Sequence, residues 1–202
     1  SGKFDSSNMD IKKLANSVLI FIIKRLIEIS GIIISIFGIL LLISLISYSP
    51  EDPNFIFPEN TKINNLLGFQ GSYTSDLFLQ SIGLIAFLIP ISFILTGINI
   101  FKNKEIFLII ENIFYVTIYT LIGSIFFDFF YENTFTLYVN GNGGFVGGYL
   151  NQGIIKELTG TNEYISYYIL IFLIFGFFLK SINFNIKTFL QNIKKLFNFL
   201  FS

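Results

Sequence analysis

Residues 29–53 read ISGIIISIFGILLLISLISYSPEDP. From Ile29 to Pro50 there are 22 residues without a charge; two acids and a second proline follow at once. Crossing a hydrocarbon core of roughly 30 Å takes about 20 helical residues. The run is therefore long enough to span a bilayer, and Pro50 and Pro53 keep its helix from continuing. Tyr48 is expected at the membrane–water boundary, with Glu51 and Asp52 in water beyond it.

Three further runs share this character. Leu77 to Phe101 is 25 uncharged residues, Ile106 to Phe127 is 22 broken only by Glu111, and Tyr164 to Leu179 is 16. The last lengthens to about 20 if Lys180 carries its ammonium outward from a span ending near Asn183. Strands of a membrane barrel would be short segments of alternating polarity, whereas these runs are apolar on every side. The fold class expected is all-α integral membrane, with spans at about 29–48, 77–101, 106–127 and 164–183.

Composition agrees. Mean hydropathy is +0.71 and 13% of residues are charged, about half the roughly 25% of soluble domains. Cysteine and histidine are absent, which removes disulfides, thiol catalysis, Cys/His zinc sites and the side chain best suited to proton transfer near neutral pH. No cofactor, metal or catalytic residue is expected.

Formal net charge is zero, but its distribution is uneven. Lys3, Lys12, Lys13, Lys24 and Arg25 precede span one; Lys102 and Lys104 separate spans two and three; Lys180, Lys187, Lys194 and Lys195 follow span four. The two other loops hold only Lys62 and Lys156, against Glu51, Asp52, Glu59, Asp76, Asp128, Glu132, Glu157 and Glu163. Basic residues gather on the cytoplasmic side of membrane proteins. Residues 1–28 are thus a basic cytoplasmic segment, 29–183 the four-span domain with both longer loops extracytoplasmic, and 184–202 a basic amphipathic start of a cytoplasmic linker. Ile186, Phe189, Leu190, Ile193, Phe197 and Leu200 share one face of that last segment, a form suited to the inner surface of an anionic membrane.

Within this frame, Ser75 is expected to cap span two, with Asp76 in its first turn. The apolar, glycine-bearing segment before it, around Leu66 to Tyr73, is expected on the membrane surface. Pro90 predicts a kink near Ala86 to Pro90, and Gly83, Ala86 and Gly97 are small enough to seat a neighbouring helix. The second outer loop is glycine-rich. Thr134 to Val139 favours a short strand; Phe145 to Leu158 carries a helical apolar period and predicts one surface-lying or re-entrant helix ending at Gly160. Gly143, Gly144, Gly147 and Gly148 permit close approach to other helices. The run lacks the Lys and Ser/Thr of a phosphate-binding loop. Glu111 lies about 7.5 Å into its span, within reach of headgroups or of Lys102 and Lys104, and is read as an interfacial anchor.

The order of these pieces resembles the N-terminal four-transmembrane domain of FtsK-type (FtsK/SpoIIIE family) bacterial DNA translocases, over about residues 20 to 182. The likeness rests on Tyr48, Ser49, Pro50, Asp52 and Pro53 after span one, and on Asn65, Gly68, Gly71 and Asp76 before span two. Gly83, Phe87 and Pro90 within that span match as well, as do Gly143, Gly144, Gly147 and Gly148 in the second loop. The chain departs from the family pattern in having no Trp and in having Ser75 before Asp76. The resemblance implies a fragment that is not itself an enzyme, since the family's ATP-driven DNA motor lies C-terminal to this region and no Walker A pattern is present. It implies an inner-membrane module at the division septum, with the lipid bilayer and division-machinery membrane proteins as partners, a homo-oligomer formed through the hexameric motor, and no direct nucleic-acid contact here. The competing reading is a standalone four-span transporter or channel, which would need aligned polar groups in the spans. An integral-membrane enzyme would need clustered His, Asp or Cys at one depth.

Overall fold

The computed structural model describes residues 2–53, 62–132, 134 and 139–200. All regular structure among them is helical: α1 (Gly2–Ile46), α2 (Gly68–Ile82), a 3-10 turn (Gly83–Phe87), α3 (Leu88–Asn103), α4 (Leu108–Tyr131), α5 (Gly144–Leu150), α6 (Ile154–Thr161), α7 (Glu163–Ser181) and α8 (Ile186–Leu200). Among the described residues, four stretches are long and apolar enough to cross a membrane: Lys12–Ile46, Gly68–Asn103, Leu108–Tyr131 and Glu163–Ser181. The predicted strand at Thr134 to Val139 falls mostly outside the described residues, and no strand occurs among those described.

α1 packs along α3, α3 against α4, and α4 along α7, with lighter contact between α3 and α7. The α1–α3 pair is close because small residues line it. A Cβ on Gly31 would stand 2.6 Å from the Gly97 carbonyl oxygen and 2.8 Å from Phe101 N; one on Gly38 would meet the Pro90 carbonyl oxygen at 2.9 Å. Ser35, between them, donates to the Ile94 carbonyl at 3.2 Å. Such small-residue stripes let helix backbones touch where lipid supplies no hydrophobic drive between helices.

The second span differs from its sequence expectation at two points, and the second loop at a third. Its helix begins at Gly68, nine residues before Leu77, so Ser75 is no cap. Ser75 is fully buried inside α2 and donates to the Gly71 carbonyl at 2.8 Å. The polarity of GFQGSYTSD hid these first turns of helix, because Ser72 and Ser75 face protein and not water. The break also comes earlier than Pro90. It lies at Gly83, whose φ of 73° ends α2. Pro90 is the third residue of α3, within the first turn, where a missing N–H costs no helical hydrogen bond. Finally, the helix expected from Phe145 to Leu158 is two helices, α5 and α6, parted at Gly153 with φ 57°.

Candidate functional site

The end of the bundle that carries the α1–α2 and α4–α7 connections, hereafter the loop end, holds most of the residues singled out from sequence. They form two linked polar clasps.

The first clasp closes the α1–α2 connection. Asp52 is 2% exposed, not in water as expected, because its carboxylate accepts the backbone N–H groups of Asn64 and Asn65, both at 2.8 Å. Asn65 then works in three directions. Its amide nitrogen donates to the Ser44 and Ser47 carbonyls at 2.9 and 3.2 Å, which lie in the last turn of α1 and just beyond it; its carbonyl oxygen accepts Leu67 N–H at 3.1 Å. Helix-terminal carbonyls lack intrahelical partners, so Asn65 supplies what α1 cannot. Ser47 accepts Leu66 N–H, and Gly68 N–H reaches the Asn65 carbonyl. Five consecutive amides, 64 to 68, are therefore all bonded in a segment with no regular structure before Gly68. Ser44 donates to the Gly71 carbonyl at 2.7 Å, Ser72 to the Pro53 carbonyl at 2.9 Å, and the Tyr48 hydroxyl to Asp76 at 3.3 Å. Gly71 has no Cβ because the Asn65 side chain occupies that space. Pro53 is buried and Pro50 exposed.

The second clasp joins the Gly83 break to the second loop. The break frees backbone groups, and each finds a partner. Leu84 N–H donates to the Asn142 carbonyl at 2.9 Å, and the Ile82 carbonyl accepts the Ser124 hydroxyl at 2.9 Å. Any side chain at Gly83 would strike the Asn142 carbonyl. Asn142 donates its side-chain amide to the Tyr131 carbonyl, and Asn140 bonds Gln80 twice. Gly144, at φ 65°, sits so close to α2 that a Cβ would lie 2.6 Å from both Ile82 N and Gly83 N. α5 is thereby wedged between α2 and α4. Gly143 and Gly147 both face Ser124 and Asp128 on α4, while Gly148 makes only ordinary contact there. Asp128 holds the far end of α5 by accepting the Asn151 amide at 2.8 Å. Nearby, Phe126, Phe130 and Tyr167 pack ring to ring at 5.2–5.4 Å, and the Tyr131 and Tyr167 hydroxyls meet at 2.9 Å, joining α4 to α7.

At the opposite end, sequence reasoning missed a polar knot. The Asn112 amide nitrogen lies 2.7 Å from Ser92 Oγ, 2.8 Å from Thr96 Oγ1 and 3.0 Å from the Ser181 carbonyl. Ser92 and Ser181 hydroxyls meet at 2.8 Å. These residues tie α3, α4 and α7 together, yet lie 16 to 89 positions apart. Lys104, expected near Glu111, instead pairs with Glu28 at 3.0 Å, and Arg25 reaches the same carboxylate at 2.5 Å. Glu111 is exposed and accepts the Asn183 amide at 3.2 Å.

At the loop end most of the buried polar groups hold backbone, while the side-chain oxygens of Asn142 and Asn151 are buried without a hydrogen-bond partner. On this end stand exposed apolar side chains, namely Leu66 and Phe69 beside the first clasp, and Phe145 and Tyr149, whose rings stack at 6.1 Å on α5. Among the described residues, no three acidic, His or Cys side chains gather as a metal site would require.

Four apolar helices of spanning length, with clasped connections at one end, define a multi-pass membrane domain. The family model described as the 4TM region of DNA translocase FtsK/SpoIIIE matches residues 23–194, and the chain belongs to that family. Curated relatives include proteins named DNA translocase FtsK. That of Rickettsia bellii (strain RML369-C) is 30% identical over 133 residues, covering 65% of this chain and 17% of that protein. That of Rickettsia typhi (strain ATCC VR-144 / Wilmington) is 35% identical over 77 residues, 38% of this chain and 10% of that protein. That of Azospirillum brasilense is 30% identical over 88 residues, 43% and 14% respectively. The matches span about a sixth or less of these relatives' lengths. No solved structure matches the chain.

Proposed function

We propose that this domain anchors a septal DNA translocase in the bacterial inner membrane and helps assemble it with division-machinery membrane proteins, without catalysing a reaction itself. Both termini face the cytoplasm in this reading, and the clasped loop end faces the envelope. The charge distribution supports that orientation: eleven of the 13 basic residues fall on the terminal side. The single observation that carries the assembly role is the construction of the loop end. Buried polar groups fix its backbone, while Phe145 and Tyr149 are held outward on a glycine-wedged helix. Exposed aromatics on a rigid support are the usual anchors of protein interfaces. Lipid and division proteins are the partners, six-fold association belongs to the motor of the full-length family member, and nucleic acid is not touched by this region.

The test is a fluorescent fusion of the chain in dividing cells. The fusion is expected at the septum, and Phe145→Ser with Tyr149→Ser is expected to disperse it around the membrane at unchanged abundance. Uniform membrane fluorescence of the parent fusion, or septal fluorescence of the double variant, would count against the reading.

A further inference from the structure

α8 follows α7 after only four residues, and the corner between them is fixed. Asn183 adopts a left-handed conformation with φ 50°, Phe184 N–H returns to the Leu179 carbonyl at 3.0 Å, and Asn183 N–H to the Lys180 carbonyl at 3.0 Å. This is the hydrogen-bond pattern that closes a helix C-terminus. The corner is also tied to its neighbours. Asn99 of α3 donates to the Ile182 carbonyl at 2.8 Å, Asn183 donates to Glu111 of α4, and Ile182 is 8% exposed. Phe184 packs its ring on Phe189, one turn into α8, at 5.2 Å. The direction in which α8 leaves the bundle is thus set by the fold.

Two features of α8 say what it meets. Ile186, Phe189, Leu190, Ile193 and Phe197 recur at helical spacing and are all exposed. Lys187 and Lys194, seven residues apart, line one flank of that apolar face, with Lys195 behind. From Tyr164 to Ser202 there is no Asp or Glu, while Lys180, Lys187, Lys194 and Lys195 are all present. A helix apolar on one side, cationic on the other, and rooted at the mouth of a span is matched by a leaflet surface bearing phosphodiesters and net negative charge.

We propose that α8 lies flat in the headgroup region of an anionic phospholipid leaflet, its apolar face toward the acyl chains and its lysines on lipid phosphates. It would carry the chain about 22 Å along the surface from the end of α7. This goes beyond the anchoring role and does not depend on it, because it requires only that α7 cross the bilayer.

With no native cysteine, single cysteines can be placed along α8 in the full 202-residue chain reconstituted in vesicles. Environment-sensitive labels at Phe189, Ile193 and Phe197 are expected to be quenched by brominated lipid. Labels at Gln191, Lys195 and Asn198 are expected to be quenched by an aqueous reagent, in vesicles containing phosphatidylglycerol. In Lys187→Gln/Lys194→Gln/Lys195→Gln the ratio of surface-bound to released α8 should fall about a hundredfold at low salt, from three lost charges. The same pattern at full strength in pure phosphatidylcholine overturns the proposal, as does no periodicity in anionic vesicles. Spin labels on α8 that broaden one another between molecules would assign the face to a second copy of the chain and overturn it equally. Septal localisation is not read in any arm, so this result is separable from the function proposed above.

Discussion

Replacing Asn65 by Ala should open the first clasp and leave the spans in place. The side chain makes three bonds of 3.2 Å or less, to the Ser44 and Ser47 carbonyls and from Leu67 N–H, and a longer one to Ser75 Oγ at 3.5 Å. Each contributes about 0.5–1.5 kcal/mol net, so the truncation should cost about 3 kcal/mol locally. The acceptors it leaves behind are helix-end carbonyls beside a buried serine, Ser44, which is 1% exposed. Hydrogen exchange reads this directly. In the parent chain, amides 64 to 68 should exchange slowly for a segment without regular structure, because every one of them has an acceptor. In Asn65→Ala the same amides should exchange about a hundredfold faster, since 1.36 kcal/mol is tenfold in an opening equilibrium. Amides in the middle of α4 serve as the internal reference and should not change. If peptides covering 64–68 exchange in the parent as fast as an unstructured chain, or if the variant leaves them unaltered, the clasp does not hold this loop.

Gly144→Leu should disturb the second clasp without preventing insertion. A left-handed side chain costs about 1–2 kcal/mol and overpacking against the Ile82–Gly83 backbone about 1–3 more, so Leu84 N–H should lose protection and the second loop become protease-sensitive; Gly147→Leu should act likewise against Ser124. Normal protease resistance in both variants would show that the wedge is dispensable. Asn112→Leu should lower resistance of the purified chain to unfolding in SDS by about 1 kcal/mol, because an amide has two hydrogens to give and interhelical bonds in lipid average about 0.6 kcal/mol each; no loss of resistance would mean that packing alone joins α3, α4 and α7. Moving Lys102 and Lys104 into the first loop should scramble topology, reported by cysteine labelling from either side, whereas an unchanged labelling pattern would show that other determinants dominate.

What could be read from the sequence follows from what each feature depends on. The spans were visible because hydrocarbon thickness imposes a length of apolar residues that soluble helices do not need. Span three and span four begin and end near charges that mark the boundary themselves, and Pro50 follows the end of span one; the start of span one is unmarked, because α1 runs on from Gly2 through Lys24 and Arg25. The start of α2 was not visible. Ser72 and Ser75 look like loop residues until it is known that α1 and the Pro53 carbonyl cover them. Likewise Pro90 signals a break more loudly than Gly83, yet the break fell where the Asn142 carbonyl could satisfy an orphaned amide. Asn65 was picked out by family likeness alone, and Asp52 was otherwise read as an acid in water; their chemistry is a pairing thirteen residues apart that no periodicity encodes. The Asn112 knot had a faint signal, an amide inside an apolar run. Its partners on α3 and α7 could only be named once the helices were side by side. Glu28 could have been noticed as the one acid just inside the basic flank of span one, three residues after Arg25.

α1 runs without a break from the tail side of the bundle to the first clasp, and Ser44, in its last turn, bonds the Gly71 carbonyl of α2. From Lys12 to Ile46 it is a stiff rod of 35 residues, about 52 Å long. It is held along its length as well as at the clasp: Gly31 and Gly38 press on the α3 backbone, and Glu28 pairs with Lys104 just past the end of α3. Any tilt of α1 must therefore carry α3 with it, so the two helices shift as one body.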